Sequence, residues 1–349
     1  MANLTPIEDR RRKSRTILLS ALILLLLLWS IKLRYPQHTI IQFYGNHTIT
    51  PEAPSLAHTT IPFLKPGGID NVSGGRKWKS KPATTDALTS PVFNGTITKK
   101  VAVMVATGFR SNLIPLILHF SSVLGPSWPI IVYASVEDVG LFSTATALGR
   151  YILSGTVQIK TLPQTVFLSD EDSFSEFLTS KWIWEDLAPA EHVFLFRSDG
   201  MLCANAARSV EDYFEYDFVG APAVDGKVVD YNGGLSLRKR STILKVLEGW
   251  EWKEEKARNE KEKKKGVLFE DQWFFNHIKM LQERQEAEGI LPSAEGAINL
   301  PTAEVARTFS EGNIDYPNPL GVHQVHRWVE KKVPELDEWC PEHRLCSTG

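Results

Sequence analysis

Cysteine is scarce, with three in 349 residues, so disulfides cannot be the main source of stability and a small cross-linked scaffold is excluded. An excess of either charge is missing too. The 39 lysines and arginines against 41 aspartates and glutamates leave a net charge of −2, which argues against a protein that coats nucleic acid through many phosphate contacts. Glycine and proline, at 23 and 20 residues, are too few for a collagen-like repeat, and 43% hydrophobic content excludes wholesale disorder. A second long apolar run is also lacking, which rules out a polytopic membrane protein. What is present is enough chain for one large core or two modest ones.

The one long run spans Thr16 to Ile31, 16 uncharged residues preceded by Arg10, Arg11, Arg12, Lys13 and Arg15. As a helix it would be roughly 24 Å long, slightly short of a ~30 Å hydrocarbon core, and Lys32 and Arg34 can snorkel to extend it. More basic charge before the run than after it places the N-terminus in the cytosol. The competing reading is a cleaved signal peptide, but Trp29-Ser30-Ile31-Lys32-Leu33-Arg34 offers no small-x-small cleavage site. Residues from Tyr35 to about Thr98 are rich in Pro, Gly, Thr, Ser and Asn, without helical or strand period, which is linker composition. They contain three N-x-S/T sequons, at Asn46, Asn71 and Asn94. The expected layout is a cytosolic tail (1–15), a type II transmembrane signal anchor (16–33), a flexible glycosylated stem (34–98) and a lumenal domain (99–349).

From Lys99 onward short apolar runs alternate with helical segments in a βαβαβ rhythm, an α/β pattern. Val101–Ala106, Pro129–Ser135 and Thr156–Leu162 read as strands, with helices expected over Asn112–Leu124 and Val139–Leu153. Ser173 and Glu176 have capping-box spacing for a further helix that runs past Trp182 and Trp184 to Leu187. His192–Phe196 reads as a central strand ending in Arg197-Ser198-Asp199. Ligands of open α/β sheets sit at strand carboxyl ends, so Asp199 is placed either to meet one or to cap a turn. Ser209 to Asp212 caps a short helix and Asp217–Pro222 returns as a strand. In Tyr231-Asn232-Gly233-Gly234-Leu235-Ser236-Leu237-Arg238 the glycines permit close approach to the backbone, or form an Asn-Gly hairpin turn. The charge-dense stretch Glu251–Lys265 reads as a solvated loop or exposed helix. Phe269-Glu270-Asp271 opens an amphipathic helix to about Gln285, in which Asp271 is either the N-cap or a catalytic carboxylate. His323 and His326 lie three apart, a weak metal signature by themselves, and Cys340 and Cys346 could close a short disulfide that leaves Cys203 free.

Six blocks in order, FLFRSDGMLCAN, DFVGAP, YNGGLSLR, FEDQWF, PLGVHQ and WCPEH, resemble a largely uncharacterised, mostly fungal family of glycosyltransferase-like domains over essentially Lys99 to Cys346. The resemblance implies a glycosyltransferase A architecture, a Rossmann-like mixed sheet flanked by helices, and transfer of a sugar from a nucleotide-sugar donor to a glycan or glycoprotein acceptor. It puts Asp199 where such folds hold a divalent metal, Mn²⁺ or Mg²⁺, with His323 completing the site and His326 in reserve. Asp271, with Glu270 beside it, matches the pair that supplies a base. Asn232, Gly233 and Gly234 would line the sugar and acceptor side, and Thr107 and Arg110 the nucleotide side. One departure is Arg197, which stands where many such enzymes carry the first acid of Asp-x-Asp: a cation there repels a metal or takes over part of its work.

The anchor, stem and domain together imply a Golgi or other secretory-pathway membrane. A non-catalytic lumenal glycan- or nucleotide-binding protein that keeps the fold is the rival, and a hydrolase a weaker third, since no nucleophile elbow or HExxH occurs. The first 34 residues carry seven basic and two acidic side chains, which leaves the remainder at −7. The lumenal part therefore has no general basic field to attract an anionic donor, and local groups must do so.

Overall fold

A computed structural model describes residues 96–225, 228–262, 269–311, 316–325 and 333–346, all within the unit Lys77–Gly349. The expected tail and anchor, nearly all of the stem with Asn46, Asn71 and Asn94, and the reserve ligand His326 lie outside the described residues. No helix among the described residues is long and apolar enough to cross a membrane.

The main sheet has six strands: β1 (Lys100–Val105), β2 (Ile130–Ala134), β3 (Val157–Thr161), β4 (His192–Phe196), β6 (Phe218–Asp225) and β7 (Val228–Lys239), in spatial order β3-β2-β1-β4-β7-β6. Pairing is parallel from β3 through β4, and β7 is antiparallel to both of its neighbours. The runs VAVMV, IIVYA and VFLF are buried throughout, as strands covered on both faces require. Ala102 at the centre pairs with Ile130 on one side and Phe194 on the other. Against β4 packs the helix α1 (Leu113–Leu124), whose Phe120 stacks on Phe196 with ring centroids 3.9 Å apart. After β3 the chain crosses to the far side of β1, so the carboxyl ends of β1 and β4 meet where the strand order reverses, the place at which such sheets open a crevice.

A second sheet of three short strands, β5 (Gly200–Leu202), β9 (Gly321–His323) and β8 (Ser310–Glu311), sits directly after the end of β4. Its β5–β9 pairing puts His323 opposite Gly200, beside Asp199.

Four expectations need correction. The helix expected over Val139–Leu153 is two, α2 (Val139–Phe142) and α3 (Thr146–Leu153): Thr144 Oγ1 donates to the Leu141 carbonyl at 2.7 Å, and such local hydroxyl bonds compete with helix continuation. The capping box of α4 (Glu171–Leu178) is Asp170 with Ser173, not Ser173 with Glu176, and the helix ends at Leu178, with Trp182 and Trp184 on a separate helix, Lys181–Asp186. Asp170 Oδ1 accepts from the Ser173 N–H at 2.8 Å, so the helix starts earlier and Glu171 becomes its first residue. Phe269, not Asp271, is the N-cap of the helix Glu270–Ala287. The disulfide joins Cys203 to Cys340, across 137 residues, and Cys346 is the free thiol. Burial and the charge of Asp199 push that thiol up to about 12, which makes it a poor nucleophile.

Candidate active site

The end of β4 is fixed from three directions. Its Arg197 N–H donates to the Gly234 carbonyl at 2.8 Å, extending the β4–β7 ladder one step past the strand. The Arg197 guanidinium forks onto the Glu171 carboxylate through both terminal nitrogens, at 2.7 and 2.5 Å, and lies 4.8 Å over the Phe174 ring. The Arg197 hydrogen bond and charge hold Glu171 below the ordinary carboxylate range. Asp199 accepts the Gln324 N–H on its backbone carbonyl at 2.9 Å, and its Oδ1 lies 3.1 Å from His323 Nε2. Burial raises the Asp199 carboxyl, but the His323 hydrogen bond and the His323 and Arg197 charges outweigh it and hold the group below its usual value.

Beside the end of β4, on the neighbouring strand, stands a bulge in β7. Gly220 pairs with Ser236 and Ala221 with Asn232, so Gly233, Gly234 and Leu235 are extra on the β7 side. The Asn-Gly pair is thus part of a strand and not a hairpin turn. Asn232 Oδ1 accepts from the Gly234 N–H at 2.9 Å, and the Gly233 N–H donates to Asp271 Oδ2 at 2.8 Å. Glycine is needed twice for space: a Cβ at Gly234 would overlap the His323 ring, and one at Gly233 would lie 2.7 Å from the Asp271 Cβ and 2.9 Å from Glu270 Oε1.

The bulge is locked to the helix α5 (Glu270–Ala287) by a buried ion pair. Arg238, with no exposed surface, donates to Glu270 at 2.8 and 3.1 Å, to Ser236 Oγ at 3.0 Å and, more weakly, to the Gly233 carbonyl at 3.4 Å. Its guanidinium lies 4.8 Å over the Phe218 ring. Both Glu270 oxygens are therefore engaged, and the residue expected as a companion base is a fastener. Asp271, the next residue, is half-buried and held by the Gly233 and Gln272 N–H groups. Nearby Asp230 is pushed up to about 6 by burial and then by the Asp271 charge.

These elements enclose a cavity of about 210 Å³. Asn232, Gly234, Asp271 and His323 form part of its wall and Glu171, Phe174 and Arg197 another part. A smaller cavity of about 30 Å³ lies over the end of β1, lined by Thr107, Gly108 and Arg110, and again by Phe174 and Arg197. Of the residues expected to bind a donor, Thr107, Arg110, Asn232 and Gly234 line one cavity or the other, Arg197 lines both, and Gly233 lines neither. Asp199 lines neither cavity.

As a metal site this donor set is thin. Asp199 and His323 are brought together, but they bond each other, a guanidinium carrying full charge is adjacent, and no cluster of three His, Cys, Asp or Glu with ligand geometry occurs among the described residues. A nucleotide-bound ion takes most of its ligands from phosphate and water, so the misfit lies in the two protein donors being spent on one another with a guanidinium beside them.

Sequence reasoning missed Glu171, Arg238 and Asp230. Glu171 lay inside what read as the approach to a later helix, and an Asp-x-x-Ser capping box was the signal available at Asp170. Arg238 closes the YNGGLSLR block and could have been suspected from a charge at the end of a buried strand. Nothing in the sequence singles out Asp230.

Residues 156–323 match the model of a family described as "Protein of unknown function (DUF5672)". No curated protein matches the chain. Two solved structures of the glycosyltransferase GlyE from Streptococcus pneumoniae TIGR4, one of them the apo form, are similar at 15% and 16% identity, with TM-scores of 0.37 and 0.36. Each match covers 65% of this chain and 54% of the other, so the chain spans about half the length of the structures it matches.

Proposed function

We propose that the chain is a nucleotide-sugar-dependent glycosyltransferase that acts on a glycan or glycoprotein acceptor, held by residues 16–33 in a Golgi or other secretory-pathway membrane with its catalytic domain lumenal. The observation that carries the reading is a carboxylate fixed by backbone N–H groups in a cleft that also presents a guanidinium: Asp271 is held by Gly233 and Gln272, and Arg197, paired with Glu171, lines the same cavity. Glycosyl transfer asks for that arrangement. The carboxylate takes the proton of the acceptor hydroxyl as its oxygen bonds to the anomeric carbon. The bond from that carbon to the diphosphate oxygen breaks, and the leaving diphosphate keeps the electron pair and needs positive charge beside it. Asp271 has the geometry of the base: Gly233 and Gln272 hold both of its oxygens in place, and each oxygen keeps a lone pair for an acceptor hydroxyl. On this reading Thr107 and exposed Arg110, which line the smaller cavity over β1, meet the nucleotide end of the donor, and the larger cavity takes the sugar.

Replacing Asp271 by Asn should lower turnover of a nucleotide sugar at least ~10³-fold while donor affinity stays within ~3-fold, measured by sugar transfer and by calorimetry on the full chain. Turnover that survives the change would sink the assignment.

The Arg197–Glu171 fork favours a second reading, a non-catalytic lumenal glycan- or nucleotide-binding protein. Under it, ligand binding persists, no sugar is transferred, and Asp271→Asn changes nothing.

A further inference from the structure

We propose that Arg197, in place of a divalent cation, binds the donor diphosphate, so that this protein takes its nucleotide without metal; the inference rests on the transferase reading above.

Three independent features of the site converge on it. The first is position. Arg197 lines both cavities, so a donor with its nucleotide over β1 and its sugar before Asp271 carries its diphosphate across this side chain. The second is preorganisation. The fork to Glu171 uses one N–H on each terminal nitrogen and Phe174 covers one face, which fixes the plane of the guanidinium and leaves its remaining N–H groups for another anion. A planar cation that is already pinned loses little further freedom on meeting a phosphate. The third is the donor set around it. Asp199 and His323 are bonded to each other, Asp199 faces neither cavity, and the guanidinium next to Asp199 opposes entry of a second cation. Glu171 neutralises part of the Arg197 charge, and exposed Arg110 in the smaller cavity restores positive charge on the nucleotide side.

The test is calorimetric binding of uridine diphosphate and guanosine diphosphate to the full chain, once in EDTA and once in Mn²⁺. At least one of the two should bind, with a Kd that differs by less than ~2-fold between the conditions. Arg197→Ala should weaken that binding by ~10- to 100-fold, as expected for losing charge-assisted hydrogen bonds to phosphate. Arg197→Lys, which keeps the charge but cannot hold both Glu171 and a phosphate in fork geometry, should fall between. The lysine variant also answers the question if the alanine variant fails to fold. Binding that tightens more than ~10-fold in Mn²⁺, or that is indifferent to both substitutions, would overturn the inference and leave the transferase reading standing. Absence of nucleoside diphosphate binding in both conditions would remove the transferase reading, and the inference with it.

Discussion

The linings of the two cavities are built on opposite principles. On the β7 side almost every polar group has a named partner: Arg238 is wholly buried and bonded to Glu270 and Ser236, Asp271 is held by two N–H groups, and two glycines admit neighbouring side chains against the backbone. On the β1 side the lining residues Thr107, Gly108 and Arg110 are exposed and follow the strand in a loop. The difference teaches where precision is required. On the proposed chemistry a base must stand within hydrogen-bond reach of one oxygen, and the ion pair in the core would hold Asp271 there at a cost in desolvation. A nucleotide can be gripped by side chains that settle when it arrives.

Breaking the rigid wall should have the largest effect. Arg238→Ala or Glu270→Ala leaves a buried charge without its partner and should cost about 3–5 kcal/mol of stability in urea melts. A loss under about 1 kcal/mol would mean that the pair is not the fastener described. Gly234→Ala forces a methyl into the His323 ring and should cost about 1–3 kcal/mol, with the same melts as the check.

Asp230 sharpens the comparison through pH. Its carboxyl is pushed from 3.8 up to about 6, so the folded state holds the proton more tightly than the unfolded chain does. The contribution to stability is complete below the ordinary carboxylate value and is lost as the pH rises through about 6. Asp230→Asn should therefore gain stability relative to the parent as pH is raised from about 4 to 7, and a difference that stays flat over that range would remove Asp230 from the electrostatics of this wall. The smallest structural effect belongs to the adaptable wall. Arg110→Ala should leave stability within about 0.5 kcal/mol while weakening nucleoside diphosphate binding ~3- to 10-fold, and a large loss of stability would show that this wall is not adaptable after all.

The parallel strands were legible because a sheet covered on both faces writes continuous apolar runs, as in VAVMV and IIVYA. The order of the site blocks was read from a resemblance to glycosyltransferase-like domains, not from composition or period. What could not be read were partnerships between distant residues. Glu171 and Arg197 are 26 residues apart and Arg238 and Glu270 are 32, and no local period connects them. The cysteines show the same limit, since short spacing favoured Cys340 with Cys346 whereas the fold brings Cys203 alongside Cys340. The capping box slipped by three positions because Ser173 can serve as either end of such a motif, and only the path of the chain decides which.

That disulfide turns the stretch from Cys203 to Cys340 into a covalent ring. Asn232, Gly234, Asp271 and His323 all belong to the ring, whereas Arg110, Glu171, Arg197 and Asp199 lie on the chain that leads into it. A single cut by a protease inside the ring releases no fragment, so the nicked molecule keeps one mass until it is reduced. Asp271 and the bulge that holds it stay tethered to the sheet that carries Arg197, even after the backbone between them has been severed.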